Sequence, residues 1–421
     1  MYKIDSINKS KLISSHFPNM ETASVGVFLN IGSRYENKNV KGIAHFLEHM
    51  LFKGSKKYSY RKVKREIEGR GGVLNGFTSQ EITGYYANFL NKNLANVLDI
   101  LVDIVLNPLL KVEDIDKERE VILQEVKMYN DLPSSRVVML LDELLWEGHP
   151  LGEDILGYDF TINKINRTDL INFRDKYYTP SNMLISFSGA YSREKIIDLL
   201  DKKIMKTGSH VKLDFVKPDN CRGIKIKVEK KLLEQTHLCI GFRSISSLSK
   251  DRLTGQLINI VLGANMSSRL FEELREKKSL CYDIGTELRK YKDSGAFIIH
   301  TGLDKNKIYI AITTILKELN KLKEKEISLR ELSRAKDYLL GQVAMGLERP
   351  QGMMFYLAEN YLTLGKIEEF KDIKNQVAAI TPEKIKKLAN EIFNFKNICI
   401  SCIGDIENGI EDKIKKILGN I

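Results

Sequence analysis

The sequence predicts an α+β fold of two structurally similar halves, each a mainly antiparallel sheet with helices packed on one face. Three observations predict it. Landmarks of the first half recur in the second at one nearly constant offset, so that Gly42 falls on Gly255 and Gly72 on Gly285. Short runs alternate apolar and polar residues, as half-buried strands do. Between them lie segments whose apolar residues recur at helical spacing.

The repeat is the strongest of the three. At an offset of 213 residues, Val25-Gly-Val-Phe-Leu29 falls on Leu238-Cys-Ile-Gly-Phe242, and Tyr85-Tyr-Ala-Asn-Phe-Leu90 falls on Ile298-Ile-His-Thr-Gly-Leu303. The helix expected over 97–107 falls on 310–320, and 182–189 matches 397–404 at offset 215. Each match is weak alone; their agreement on half the chain length is not. The division expected from it is an N-terminal domain over 1–212, a linker over 213–223 containing Pro218-Asp-Asn, and a homologous C-terminal domain over 224–421.

Each half reads in the same order. Val25, Val27, Leu29 and Ile31 share one face of the first strand. A buried helix is expected over 42–53, then a polar helix, then strands around 72–78 and 83–90. Leu94, Val97, Leu98, Leu101, Val102 and Val105 form the apolar stripe of the next helix, which Asn107-Pro108 ends. More helix follows up to Pro133. A strand over 183–188, matched by 398–403, and a helix close each half. Cys399 and Cys402 fall in that last strand, on opposite faces, at the positions of Leu184 and Phe187. That reads as core filling, not as a metal or redox pair.

Composition bounds the rest. With 421 residues, 43% hydrophobic and 29% charged, the chain can bury two cores. Five Cys exclude a disulfide scaffold, and 8 Pro with 28 Gly exclude a collagen-like chain. No run approaches the roughly 20 apolar residues of a membrane span, and no secretory leader is read at Met1-Tyr-Lys-Ile-Asp. A soluble, cytoplasmic protein is expected. The net charge of +11 reads as a Lys-rich solvated surface, because no basic cluster is interleaved with stacking aromatics. Neither nucleic acid nor membrane is an expected partner.

The halves differ where chemistry is possible. The first buried helix reads Gly42-Ile-Ala-His-Phe-Leu-Glu-His-Met-Leu-Phe-Lys-Gly54. At about 100° per residue, His45, Glu48 and His49 share an arc of about 100° on an otherwise apolar helix. Burying them unpartnered costs on the order of 1–3 kcal/mol for each neutral group and more for a charge. A bound cation removes that cost: two imidazoles one turn apart can reach one metal, with Glu48 placed to touch a water beside it. With 7 His in the chain, His-x-x-Glu-His is expected about 0.01 times by chance. In the second half the three positions are Ile258, Val261 and Leu262. The fold therefore needs an apolar helix here and does not need the trio.

A catalytic zinc takes three protein ligands and keeps one open position. On the helix expected over 113–130, Ile115, Glu118, Ile122, Glu125 and Tyr129 share one stripe. Two carboxylates on an apolar stripe suggest a ligand and its supporting group. Glu125 becomes Tyr338 in the second half.

These residues resemble the pitrilysin/insulinase family of inverted-motif zinc peptidases, and most closely its half-length members typified by the mitochondrial processing peptidase β subunit and its bacterial relatives. The match is carried by residues 42–54, Gly71-Gly-Val-Leu-Asn75, Thr78-Ser-Gln-Glu-Ile-Thr83, Tyr85-Tyr86, Glu118-Arg-Glu-Val-Ile-Leu-Gln-Glu125 and His149-Pro-Leu-Gly152, and runs essentially end to end. The resemblance implies one zinc per chain held by His45, His49 and Glu125, with Glu48 as general base and Glu118 as a supporting carboxylate. It implies that Asn75, Arg275 and Tyr282 bind substrate, with Arg275 and Tyr282 in a segment resembling the family's Arg…Tyr motif. Gly76 stands where the family usually has Ala, and Ser279-Leu-Cys-Tyr282 where it often has Gly-Leu-Ala-Tyr. The implied activity is zinc-dependent hydrolysis of extended or unfolded polypeptides in a closed chamber, completed by a second copy of the chain. A catalytically inactive scaffold or partner subunit of the same family is the alternative.

Overall fold

A computed structural model describes residues 2–204, 211 and 213–419. It divides into two compact units. The first comprises Met1–Lys127, Asp154–Phe215 and Met345–Ile367; the second comprises Met128–Glu153, Val216–Ala344 and Glu368–Ile421. The compact units are thus interleaved along the chain, three segments each, with Met128–Glu153 of the second lying in sequence inside the first half and Met345–Ile367 of the first inside the second. Residues 213–222 carry no helix or strand.

The first unit contains strands β1 (Tyr2–Ile7), β2 (Ser10–His16), β3 (Thr22–Leu29), β4 (Val73–Thr78), β5 (Thr83–Leu90) and β6 (Met183–Gly189). They lie in the order β1-β2-β6-β3-β5-β4, antiparallel except for the β2–β6 pair. Helices α1 (Ile43–Leu51), α2 (Tyr60–Ile67) and α3 (Leu94–Leu106) follow the expected positions. Val25, Val27 and Leu29 join α1 and α3 in one buried core, where all six apolar positions of the α3 stripe are found. The core holds because both surfaces are apolar at the period of their own element.

The sheet's other face is covered as well. The helix Pro350–Leu364 sets Met354, Leu357 and Ala358 against Ile13, Phe28 and Leu184. Ser186 Oγ, in β6, donates to the Met354 carbonyl at 2.8 Å. β3 is therefore buried on both faces, Phe28 included. Period-two patterning in β3 gives no hint of this cover, because the covering helix comes more than 300 residues later.

The second unit repeats the plan. Its strands are β7 (Lys225–Lys230), β8 (Thr236–Ser244), β9 (Cys281–Lys290), β10 (Gly295–Leu303) and β11 (Cys399–Gly404), in the order β7-β11-β8-β10-β9. Without β1, the first sheet has this order too, including the parallel pair at the same end. Helix α4 (Val112–Asp131) is followed by α5 (Pro133–Leu145), so Pro133 starts a helix at its first turn as well as ending one. Val137, Leu141 and Leu145 of α5 pack on Cys239, Ile298, Cys399 and Ile403. Ser401 Oγ donates to the Val137 carbonyl at 2.6 Å, which is the Ser186 contact repeated. At Gly241 a Cβ would lie 2.9 Å from Leu141, so glycine lets α5 approach the strand. Cys399 and Cys402 are fully buried, and Cys399 Sγ lies 3.4 Å from Cys221 Sγ.

Gly42 sets where α1 begins. Its φ is +89°, and a Cβ there would lie 2.3 Å from the Leu156 carbonyl oxygen. Gly42→Ala is expected to destabilise the chain by about 2 kcal/mol or more through left-handed strain and backbone overlap. Denaturant unfolding of the two proteins checks this; equal midpoints would contradict it.

Candidate metal centre

Helix α1 is fixed at its first turn by a buried carboxylate. Glu36 accepts from the backbone N–H of Gly42 at 3.0 Å and of Ala44 at 2.8 Å, satisfying donors that the helix cannot satisfy itself. The helix sinks into the core, leaving His45 and Glu48 only 7% and 8% exposed. Helix α4 runs beside it and buries Ile115, Glu118 and Ile122; Glu125 is half-buried and Tyr129 is exposed.

Between the two helices His45, His49 and Glu125 offer ligand atoms all within 4.8 Å of one another. Glu125 Oε2 lies 3.7 Å from His45 Nε2 and 3.5 Å from His49 Nε2. Ligands of a tetrahedral zinc, at bonds of about 2.0–2.1 Å, are separated by roughly 3.4 Å. The donor set, two imidazole nitrogens and one carboxylate oxygen, is also one that zinc takes. The residues present therefore fit the ion. Glu48 Oε2 stands 4.0 Å from His45 Nε2, beside the donors.

The second carboxylate of α4 is placed differently. Glu118 Oε1 lies 3.0 Å from His49 Nδ1, and Glu118 Oε2 forms an ion pair with Lys53. The stripe that left the two acids interchangeable in sequence is resolved by reach: Glu125 meets the Nε2 atoms, Glu118 the Nδ1 atom behind one of them. His45 Nδ1, by contrast, has no hydrogen-bond partner among the described residues.

Burial pushes His45 down to about 4, and the neighbouring His49 adds to the effect. His45 is thus neutral, as a metal ligand must be. Burial pushes Glu48 up to about 7, against the pull of His49. A carboxylate that titrates near neutrality can both take and return a proton. Burial opposes the charge of His49, yet hydrogen bonds to Glu118 and Glu125 outweigh it and hold His49 up at about 9. The hydrogen bond to His49 in turn holds Glu125 below the usual carboxylate range.

The remaining sequence candidates are spread over both units. Asn75 is exposed on β4, the edge strand of the first sheet, where its Oδ1 accepts from Gly76 N at 2.9 Å. At Gly76 a Cβ would lie 2.6 Å from Glu48 Oε1. The departure from the usual Ala therefore gives Glu48 room, which the sequence reading missed. Arg275 and Tyr282 belong to the second unit. Arg275 sits on a π-helical stretch, Phe271–Lys277, with its guanidinium 5.0 Å from the Tyr282 ring centre. Gly302 pairs with Asp283 and Leu303 with Cys281, so Tyr282 is the extra residue of a β-bulge, 78% exposed at the edge strand β9. His149 is structural: its Nδ1 accepts from Leu151 N at 3.1 Å, and its Nε2 lies 2.8 Å from the Val216 carbonyl.

Roles for Glu36 and Lys53 were not read from the sequence. No spacing rule links Glu36 to a helix seven residues on, or Lys53 to a carboxylate on another helix. Glu81, inside a motif that was read, holds the buried Arg34 at 2.6 Å.

The His49 value fixes how metal affinity depends on pH. Below about 9, the metal-free ring carries a proton that a metal at Nε2 must displace, while His45 carries none above about 4. Zinc affinity is expected to rise by about tenfold per pH unit between about pH 6 and 8. Chelator competition across that range checks it; a flat profile would contradict the protonated His49.

Comparison with known proteins places the chain in a family. Residues 11–159 match the model of the insulinase family, peptidase family M16, and residues 164–339 match that of the peptidase M16 inactive domain. A Bacillus subtilis protein named uncharacterized zinc protease YmxG is 33% identical over 92% of this chain and 94% of its own length. A Rickettsia felis protein named uncharacterized zinc protease is 32% identical over 92% and 93%. Among solved structures, a protease from Helicobacter pylori matches 96% of this chain and 99% of its own at a TM-score of 0.90 and 22% identity. A peptidase M16 inactive domain from Pseudomonas fluorescens matches 96% and 98% at 0.89 and 18%. Likeness at those identities shows the shared fold, whereas the third-identical relatives, aligned over nearly their whole length, settle the lineage: the chain belongs to the insulinase family of peptidases, family M16.

Proposed function

We propose that the chain is a zinc-dependent metalloendopeptidase that cleaves extended or unfolded polypeptides held in a closed chamber. One observation carries this reading: two imidazoles and a carboxylate converge at zinc-like spacing with a second carboxylate, Glu48, beside them. The name zinc protease borne by relatives supports it. One zinc per chain would be held by His45, His49 and Glu125. When bound, the ion would supply Lewis acidity toward a peptide carbonyl and a water beside it.

The chain's own residues do the rest. Glu48 takes a proton from the attacking water and returns it to the leaving amine nitrogen. Glu118 holds the His49 ring through Nδ1. The free edge of β4 can add an extended peptide as a further strand, with main-chain hydrogen bonds giving affinity and Asn75 lying along it. Arg275 grips a substrate carbonyl, and the exposed Tyr282 hydroxyl donates to the oxygen on which charge develops. On this reading the active species is a homodimer, in which the zinc of one subunit works with Arg275 and Tyr282 of the other. A cytoplasmic setting belongs to the same reading, since the five cysteines are free thiols. No described helix is long and apolar enough to cross a membrane.

The other reading is an inactive scaffold or partner subunit. The match of 164–339 to an inactive domain favours it only for the half where Ile258, Val261 and Leu262 replace the trio.

Glu48→Gln is expected to keep zinc and to lose about 10²–10⁴-fold in hydrolysis of a mixed library of unstructured peptides. Equal cleavage by both proteins would reject the proposed base; no cleavage by the zinc-loaded native chain would favour the scaffold. Mixing Glu48→Gln with Tyr282→Phe chains is expected to restore activity in the heterodimer, whose one intact site combines both native residues. No recovery in a mixture shown to exchange subunits counts against completion across the dimer.

A further inference from the structure

We infer that Lys53 is a positioning residue for the metal centre. It holds one oxygen of Glu118 so that the other stays on His49 Nδ1, which keeps His49 Nε2 turned toward His45 and Glu125. The inference rests on the zinc reading above and adds to it a residue on neither ligand helix's motif stripe.

The placement is built by the backbone. Lys53 is the second residue past the end of α1, after Phe52, and its N–H donates to the Met50 carbonyl at 3.1 Å. Gly54 follows with φ +116°, turning the chain away at once. The Lys53 stem is thereby held beside α1, and its ammonium pairs with Glu118 Oε2 across to α4 while lying 5.6 Å from the Tyr60 ring centre. Glu118 is 5% exposed, so water offers its carboxylate little competition. A carboxylate gripped at one oxygen cannot swing about its last torsion without breaking an ion pair. The His49 ring, bonded to the other oxygen at 3.0 Å, inherits that constraint. Outer partners of this kind tune affinity by orienting the ligand they touch.

The second half supplies a rival explanation. At the 213 offset Lys53 becomes Met266, which is 73% exposed, and Glu118 becomes Glu331, held instead by Arg269 at 2.7 and 2.8 Å. A carboxylate–cation pair thus persists where the trio does not. A pair that merely clamps two helices affects stability and leaves metal affinity alone; a positioning pair affects affinity.

Zinc affinity of the full chain, measured by competition with a chromogenic chelator, separates the two. Lys53→Met is expected to weaken binding about 10–100-fold, and Lys53→Arg to restore most of the loss. In a Glu118→Gln background, Lys53→Met is expected to add no more than about twofold, since its effect runs through Glu118. Native affinity in Lys53→Met, whatever its melting temperature, overturns the inference, and so does full additivity with Glu118→Gln. Should Lys53→Met not fold, Lys53→Gln carries the same comparison. A native chain that binds no zinc overturns both the metal reading and this role; a native chain that binds normally beside an unaffected Lys53→Met overturns this role alone.

Discussion

Three polar groups on a helix that the fold buries are the constraint on which the site depends. His45 and Glu48 face the core with less than a tenth of their surface exposed, and His49 follows Glu48, one turn on from His45. A helix so placed is stable only if a partner meets those groups. Helix α4 brings that partner, since Glu125 lies within 3.7 Å of both Nε2 atoms and Glu118 takes the Nδ1 atom behind His49. Glu36 at one end and Lys53 at the other hold α1 and its ligands to this geometry. Without metal, His45 is neutral, Glu48 titrates near neutrality, and His49 carries a proton that an incoming cation has to displace.

Much of this was legible in the sequence because it obeys short periods. The trio falls on one arc of a helix, and Glu118 and Glu125 fall on one stripe; both follow from about 3.6 residues per turn. The core strands and α3 were legible for the same reason. What sequence periodicity left open is what needs contact between distant segments. Glu118 and Glu125 share a stripe, and only their distances to His49 and His45 distinguish them. The role of Gly76 appears once Glu48 is seen 2.6 Å from the place of its missing Cβ. β1 went unread because strand pairing at a sheet edge leaves little apolar alternation, Tyr2–Ile7 being mostly exposed or half-buried, and β2 because it buries Ser10, Ser14 and Ser15 beside only Leu12 and Ile13.

The repeat shows which features serve the fold and which serve the site. Both sheets, β1 aside, share one strand order. In both, a serine of the closing strand, Ser186 or Ser401, bonds the carbonyl of a helix covering the face opposite to the main helical layer. Those features recur because burial requires them. The trio and Glu125 do not recur, and the second half carries instead a π-helical stretch and a β-bulge that present Arg275 and Tyr282. Irregular backbone of that kind re-aims side chains at a cost in regular hydrogen bonding, and is found where function uses it.

X-ray absorption at the zinc edge tests the central claim most directly, because it reads the ligands themselves. The zinc-loaded chain is predicted to show nitrogen and oxygen scatterers at about 2.0–2.1 Å, two of them imidazoles. A shell of sulfur at about 2.3 Å, placing the ion on the cysteines, would contradict the account, as would a chain that retains no zinc to measure.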